Sequence, residues 1–176
     1  MSIKTQQALD VTYKPFDEKP RKHTIHPYFL KQFNSRWFLF ALDEEERDKG
    51  IYPVNLAIDR IEKIENSSVK YIPNSDIDFN EYFNHIIGVT KPSGEHVTKI
   101  KFAVSPELKP YLETKPIHHS QRAFTKKGEM YHSSIKVIPN YEMYSMFLSF
   151  GENFKVVFPV EIVNKMGNIL QNMIIN

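Results

Sequence analysis

Apolar and polar residues alternate in short runs through the first third of the chain, the period of strands with one buried face. Val11 to Phe16, Thr24 to Lys31, Arg36 to Leu42 and Ile51 to Ile64 are the predicted β segments, separated by charged or Asn/Ser/Gly-bearing breaks. Asn34-Ser35 lies between two aromatic-rich runs and reads as a hairpin turn, since Asn tolerates a left-handed backbone. The acidic run Asp43-Glu44-Glu45-Glu46 reads as a solvated loop tip. One conflict stands out: Ile58, Ile61 and Ile64 recur every three residues, which favours a helix over a flat strand.

A helix is predicted next, with Asp78 as N-cap and Glu81 as its capping-box partner. Phe79, Tyr82, Phe83 and Ile86 form its apolar face, Gly88 closes it, and it is placed to dock between two subdomains. The polar stretch Thr90-Lys91-Pro92-Ser93-Gly94-Glu95 marks a boundary. Beyond it Ile100, Phe102 and Val104 alternate as a half-buried strand, and Ser105-Pro106-Glu107 starts a short helix to about Glu113. Ile117 to Arg122 and Met130 to Ile138 form a predicted strand pair, Asn140 caps a helix through Phe150 that Gly151 stops, and Phe154 to Phe158 returns as a strand. The order βαββαβ is that of a ferredoxin-like domain; a terminal helix after Pro159 would bury Ile162, Met166, Ile169, Leu170 and Met173.

Composition narrows the function classes. With 176 residues, 41% hydrophobic and 25% charged, the chain is composed like a soluble globular protein of one domain or two small ones. Thirteen Phe, nine Tyr and one Trp supply a real core. The absence of Cys excludes disulfides, thiolate metal sites and cysteine nucleophiles, and suits a cytoplasmic setting. No apolar run approaches the roughly 18 residues of a membrane span, and the first residues are not of signal-peptide type. A net charge of +2 is too small to announce a nucleic-acid binder, so local clustering must carry that argument.

Three segments in order, His26-Pro27-Tyr28-Phe29-Leu30, Arg36-Trp37-Phe38-Leu39 and Ile58-Asp59-Arg60-Ile61, resemble the signature of the WYL domain family. Val137-Ile138-Pro139-Asn140-Tyr141-Glu142, Leu148-Ser149-Phe150-Gly151 and Val156 to Pro159 are similar to the C-terminal extension found in its members. The resemblance implies an α+β chain: an Sm-like, SH3-like small β-barrel over residues 1–75, a connecting helix and linker over 76–95, and a ferredoxin-like extension over 96–176. It implies a ligand-sensing and dimerisation module of a bacterial transcription regulator, a homodimer, binding single-stranded nucleic acid or a nucleotide. DNA contact would belong to a helix-turn-helix for which these residues leave no room. Two departures bear on ligand choice: Phe38 stands where the family has tyrosine, and Val54-Asn55 where many members have an arginine. The alternative is a scaffold that dimerises without sensing.

The candidate ligand-binding residues are His26, Tyr28, Lys31, Arg36, Trp37, Phe38 and Arg60, which combine cations for phosphates with flat faces for bases. The competing structural reading is that strand alternation puts Trp37 and Leu39 on one face and Arg36, Phe38 and Phe40 on the other, either of which can be core. His118, His119, His132 and Glu129 invite a metal reading, but neighbouring strand residues point to opposite faces, and no metal or other cofactor is expected. Nucleophile elbow, phosphate-binding glycine loop and zinc-protease histidine pair are all absent, so no enzymatic activity is expected.

Overall fold

Asn34 and Ser35 both adopt left-handed backbone, with φ of 47° and 60°, as a two-residue type I′ turn demands. That turn joins the two longest strands of the first sheet. The computed structural model describes residues 2–174 and divides into two units, residues 1–82 and 83–176.

In the first unit a short helix α1 (Ser2–Thr5) precedes strands β1 (Leu9–Tyr13), β2 (Arg21–Phe33) and β3 (Arg36–Asp43). Helix α2 (Glu44–Asp48) and strands β4 (Val54–Ala57) and β5 (Ile61–Asn66) follow. The strands pair antiparallel in the order β4-β3-β2-β1-β5. No closed barrel is seen: β4 and β5 end the pairing order on opposite sides, and no ladder joins them among the described residues. The predicted strand through Ile64 is broken by a single 3-10 turn at Ile58–Arg60, which carries the chain from one edge of the sheet to the other. This resolves the conflict in the isoleucine spacing, because Ile58 and Ile64 are exposed and only Ile61 packs on the core.

Proline cannot donate to a sheet ladder, and β2 accommodates Pro27 with a bulge between Pro27 and Phe29. One face of the sheet buries Leu9, Val11, Ile25, Leu39, Ala41, Val54 and Leu56 together. On β2 and β3, Phe29 stacks on Phe79 at 4.9 Å and Phe40 meets Phe79 and Tyr82 edge-on at 6.0 Å. The acidic run is not a free loop tip. Asp43 is buried and its carboxylate accepts the amides of Glu45 and Glu46 at 3.0 and 3.2 Å, capping α2.

Helix α3 (Phe79–Phe83) is shorter than predicted, and the Asp78 carboxylate accepts the amide of Asn80 at 2.8 Å. Continuation would need the carbonyl of His85 within the helix, but it accepts the amide of Ile138 at 2.7 Å. The second unit holds β6 (Thr98–Val104), α4 (Lys109–Thr114), β7 (Thr125–Lys127), β8 (Met130–Val137), α5 (Tyr141–Ser149), β9 (Phe154–Phe158) and α6 (Val160–Met173). Its strands pair antiparallel in the order β7-β8-β6-β9. Leu112 of α4, Met143 and Phe147 of α5 and Ile162 of α6 pack against Ile100, Phe102, Ile135, Val137 and Phe154.

Two expectations fail here. Residues 117–122 form a turn rather than a strand, because the Gln121 side chain bonds the amide of Ile117 and the carbonyl of Leu112, at 3.1 and 2.8 Å. β7 takes the edge position beside β8 instead. On α6 Ile162 is buried and Met166 packs partly buried against the core, while Leu170 and Met173 are exposed at 49% and 65%.

Candidate functional site

The signature segments are tied together by charge. Arg36, at the start of β3, places its Nε 3.1 Å from a carboxylate oxygen of Asp59 in the 3-10 turn, with both side chains partly exposed. The next residue, Arg60, lays its guanidinium 3.5 Å from the centroid of Phe16, a ring 65% exposed. The Arg60 Nε is buried and has no hydrogen-bond partner. Phe16, Arg60, Asp59 and Arg36 therefore form a continuous cationic and aromatic edge, of which the sequence reading included the two arginines and missed Phe16. Asp59 lay within the signature segment Ile58-Asp59-Arg60-Ile61, which was the available signal for it, and none existed for Phe16.

The other candidates separate by face. Lys31 and Phe38 are cross-strand partners on β2 and β3, both half-buried, and burial lowers the ammonium pKa of Lys31. Trp37, 49% exposed, follows Arg36 but points to the opposite side of the strand, with Gln32 as its partner. His26 and Tyr28 face a different neighbour. His26 is 1% exposed, accepts the amide of Ile72 on Nδ1 at 3.1 Å and meets the Tyr71 ring edge-on. Burial depresses its pKa, partly offset by Glu44 and Asp43. The Tyr28 hydroxyl donates to the carbonyl of Ile72 at 3.0 Å, and burial raises its pKa. These two side chains hold residues 71–72 against the sheet.

A cavity of about 580 Å³ in the first unit is lined by His23, His26 and Asp43 among others. His23 Nδ1 lies 2.8 Å from the Asp43 carboxylate, whose other oxygen caps α2. Sequence reading missed this pair, although an Asp followed three residues later by Glu46 is a helix-start signal. Replacing Asp43 with Ala should destabilise the fold by about 1–2 kcal/mol, since it removes a cap and strands His23. Urea unfolding measures it, and a change within error would mean water replaces the carboxylate.

In the second unit, His118 and His119 have ring centroids 4.1 Å apart. His118 is buried and accepts from the Ser120 amide on Nδ1 at 3.2 Å, while its Nε2 and the Nδ1 of His85 are buried without partners. Burial, reinforced by His119, pushes the His118 pKa down to about 4. Among the described residues no group of His, Asp and Glu is arranged to hold a metal ion, and no helix is long and apolar enough to cross a membrane.

No curated protein matches the chain. Several solved structures resemble it, two of them as follows. Proteasome accessory factor B/C (PafBC) of Arthrobacter aurescens is 14% identical with a TM-score of 0.40, covering 97% of this chain and 25% of that one. A CRISPR Cas-related protein is 10% identical with a TM-score of 0.56, covering 97% of this chain and 47% of that one, a likeness of fold alone. The chain thus spans about a quarter and about half the length of these two proteins. The sequence model that matches is the WYL domain, and it places that domain at residues 1–66, across all five strands of the first sheet and the Arg36–Asp59 pair.

Proposed function

We propose that this chain is the ligand-sensing and dimerisation module of a bacterial transcription regulator, cytoplasmic and without enzymatic activity. Its ligand is single-stranded nucleic acid or a nucleotide, held at the Arg36, Asp59, Arg60 and Phe16 edge of the first unit. The observation that carries the reading is Arg60: a guanidinium lying on an exposed ring, beside a second arginine that is itself partly exposed. A phosphate needs the donors and a base needs the flat surface. Lys31 and Phe38, on the Arg36 side of their strands, extend the surface in this reading, whereas Trp37 lies on the other side and His26 and Tyr28 support the sheet from within. The matched WYL domain supports a regulatory sensing role.

The same reading treats the first sheet as an Sm-like barrel left open between β4 and β5, and the second unit as a ferredoxin-like extension, with boundaries at residues 1–75, 76–95 and 96–176. The ligand acts by favouring one dimer arrangement over another. Arg60→Ala is expected to weaken binding of a short labelled single strand by about tenfold, the worth of one charge-assisted contact or stacked base. Fluorescence anisotropy reads the affinity and circular dichroism the fold. Unchanged binding by a folded variant sinks the assignment.

The pairing of Arg36 with Asp59 and of Arg60 with Phe16 favours a second reading, in which both arginines are satisfied within the chain and the module dimerises without sensing. A homodimer by light scattering with no binding of any single strand or nucleotide would select it.

A further inference from the structure

The four strands of the second unit carry six lysines, Lys99, Lys101, Lys126, Lys127, Lys136 and Lys155, and not one carboxylate. The whole chain has a net charge of only +2, so this is a local segregation that composition conceals. All three helices of the unit pack on the face of Ile100, Phe102 and Ile135. Strand alternation sends Lys99 and Lys101 to the opposite face, where both are exposed.

There Lys99, Lys101, Lys127 and Arg122 line an open cavity of about 590 Å³ together with His132, and no Asp or Glu lines it. None of the four forms an ion pair among the described residues, although elsewhere in the same unit Lys109 and Glu113 meet at 2.6 Å. Four like charges gathered around one hollow repel one another and raise the local concentration of anions. An aromatic surface adjoins them: Phe158 is 50% exposed, with the Lys101 ammonium 5.3 Å from its ring centroid.

We propose that this sheet face is a binding site for the phosphate backbone of a single-stranded nucleic acid, separate from the site proposed in the first unit. The cations follow the backbone and the Phe158 ring receives a base, a division of labour that tolerates many sequences. A single strand is favoured over a duplex because a base can reach the ring only when unpaired.

The test uses the whole chain and a fluorescent oligothymidylate of about a dozen nucleotides, with affinity measured across a salt series. In the Arg60→Ala background, which takes the first-unit site out of the reading, the double variant Lys99→Gln/Lys101→Gln is expected to raise Kd about tenfold or more and to lower the slope of log affinity against log salt by about 1.4, two contacts at about 0.7 each. Phe158→Leu is expected to weaken binding while leaving that slope unchanged. Both lysines are exposed, and circular dichroism checks that the variant folds. Unchanged affinity and slope overturn the proposal, as does equal affinity for a duplex of the same length, or lysine-dependent capture of phosphatidylserine vesicles without binding of the oligonucleotide. Loss of binding in Arg60→Ala alone overturns it too and leaves the first-unit site standing; loss in the lysine variant alone does the reverse.

Discussion

Replacing Gly88 with alanine is expected to lower the unfolding free energy by about 2–4 kcal/mol, from backbone strain and overpacking together. Gly88 has φ of +89°, a conformation that an L side chain rarely adopts. A methyl group there would also lie 2.7 Å from Cγ and 2.8 Å from Cβ of Glu142. Glu142 is poorly placed to retreat, since one of its carboxylate oxygens accepts the amide and hydroxyl of Thr90 at 3.1 and 2.7 Å. Asn140 adds to the constraint: it caps α5 through the amide of Met143 and donates to the carbonyls of Ile87 and Thr90 at 2.7 and 2.8 Å. Residues 87–90 are therefore bound to the start of α5 from several directions. Urea unfolding of Gly88→Ala measures the effect, and a loss below about 1 kcal/mol would show that the segment yields. Glu142→Ala removes the contact with Cγ and the carboxylate bonds that hold the side chain in place, though it keeps the contact with Cβ, and should relieve Gly88→Ala only in part in a double-mutant cycle.

The second large effect is acid sensitivity through His118. Its folded pKa is about 4 against an ordinary 6.5, so the unfolded chain binds the proton first. The stabilisation is complete above pH 6.5 and drains as pH falls toward 4, by up to about 3 kcal/mol. Burial is the main reason a charged ring is not tolerated; the nearby rings of His119 and His85 oppose the charge further, and the Asn84 backbone offsets this only in part. The check compares urea unfolding of the parent and of His118→Gln across that range. The variant should lose less stability on acidification, and parallel pH profiles would show that His118 does not couple to folding. His26 acts in the same direction within the first unit, since burial lowers its pKa as well, so the difference between the two profiles is the informative quantity.

For the candidate site, residue type was legible and convergence was not. Arg36 and Arg60 stand out as cations in apolar strands, yet their geometry depends on the 3-10 turn that brings Asp59 to Arg36 and on a loop that brings Phe16 under Arg60. His26 and Tyr28 carry the same local signals, but the packing of residues 71–72 gives them a supporting task. The lysine face of the second sheet lay in plain view as alternating residues, but its strand order and the side chosen by the helices were needed to see it as one surface.

By itself the sequence determined what short-range physics controls. Asn34-Ser35 makes the turn because its neighbours alternate and Asn tolerates positive φ; Asn140 caps α5 because its side chain reaches the amide of Met143; Ile100, Phe102 and Val104 bury one face because a strand has a period of two. Tertiary structure decided what depends on distant partners. The His85 carbonyl bonds Ile138 and the predicted helix ends early; Gln121 bonds Ile117 and Leu112 and a predicted strand becomes a turn; Asp43 meets His23 across two strands and an acidic tip becomes a buried cap. Local propensities differ by about 1 kcal/mol or less per residue, whereas leaving one buried polar group unpaired costs about 1–3 kcal/mol. Where the two conflicted in this chain, the distant hydrogen-bond partner prevailed.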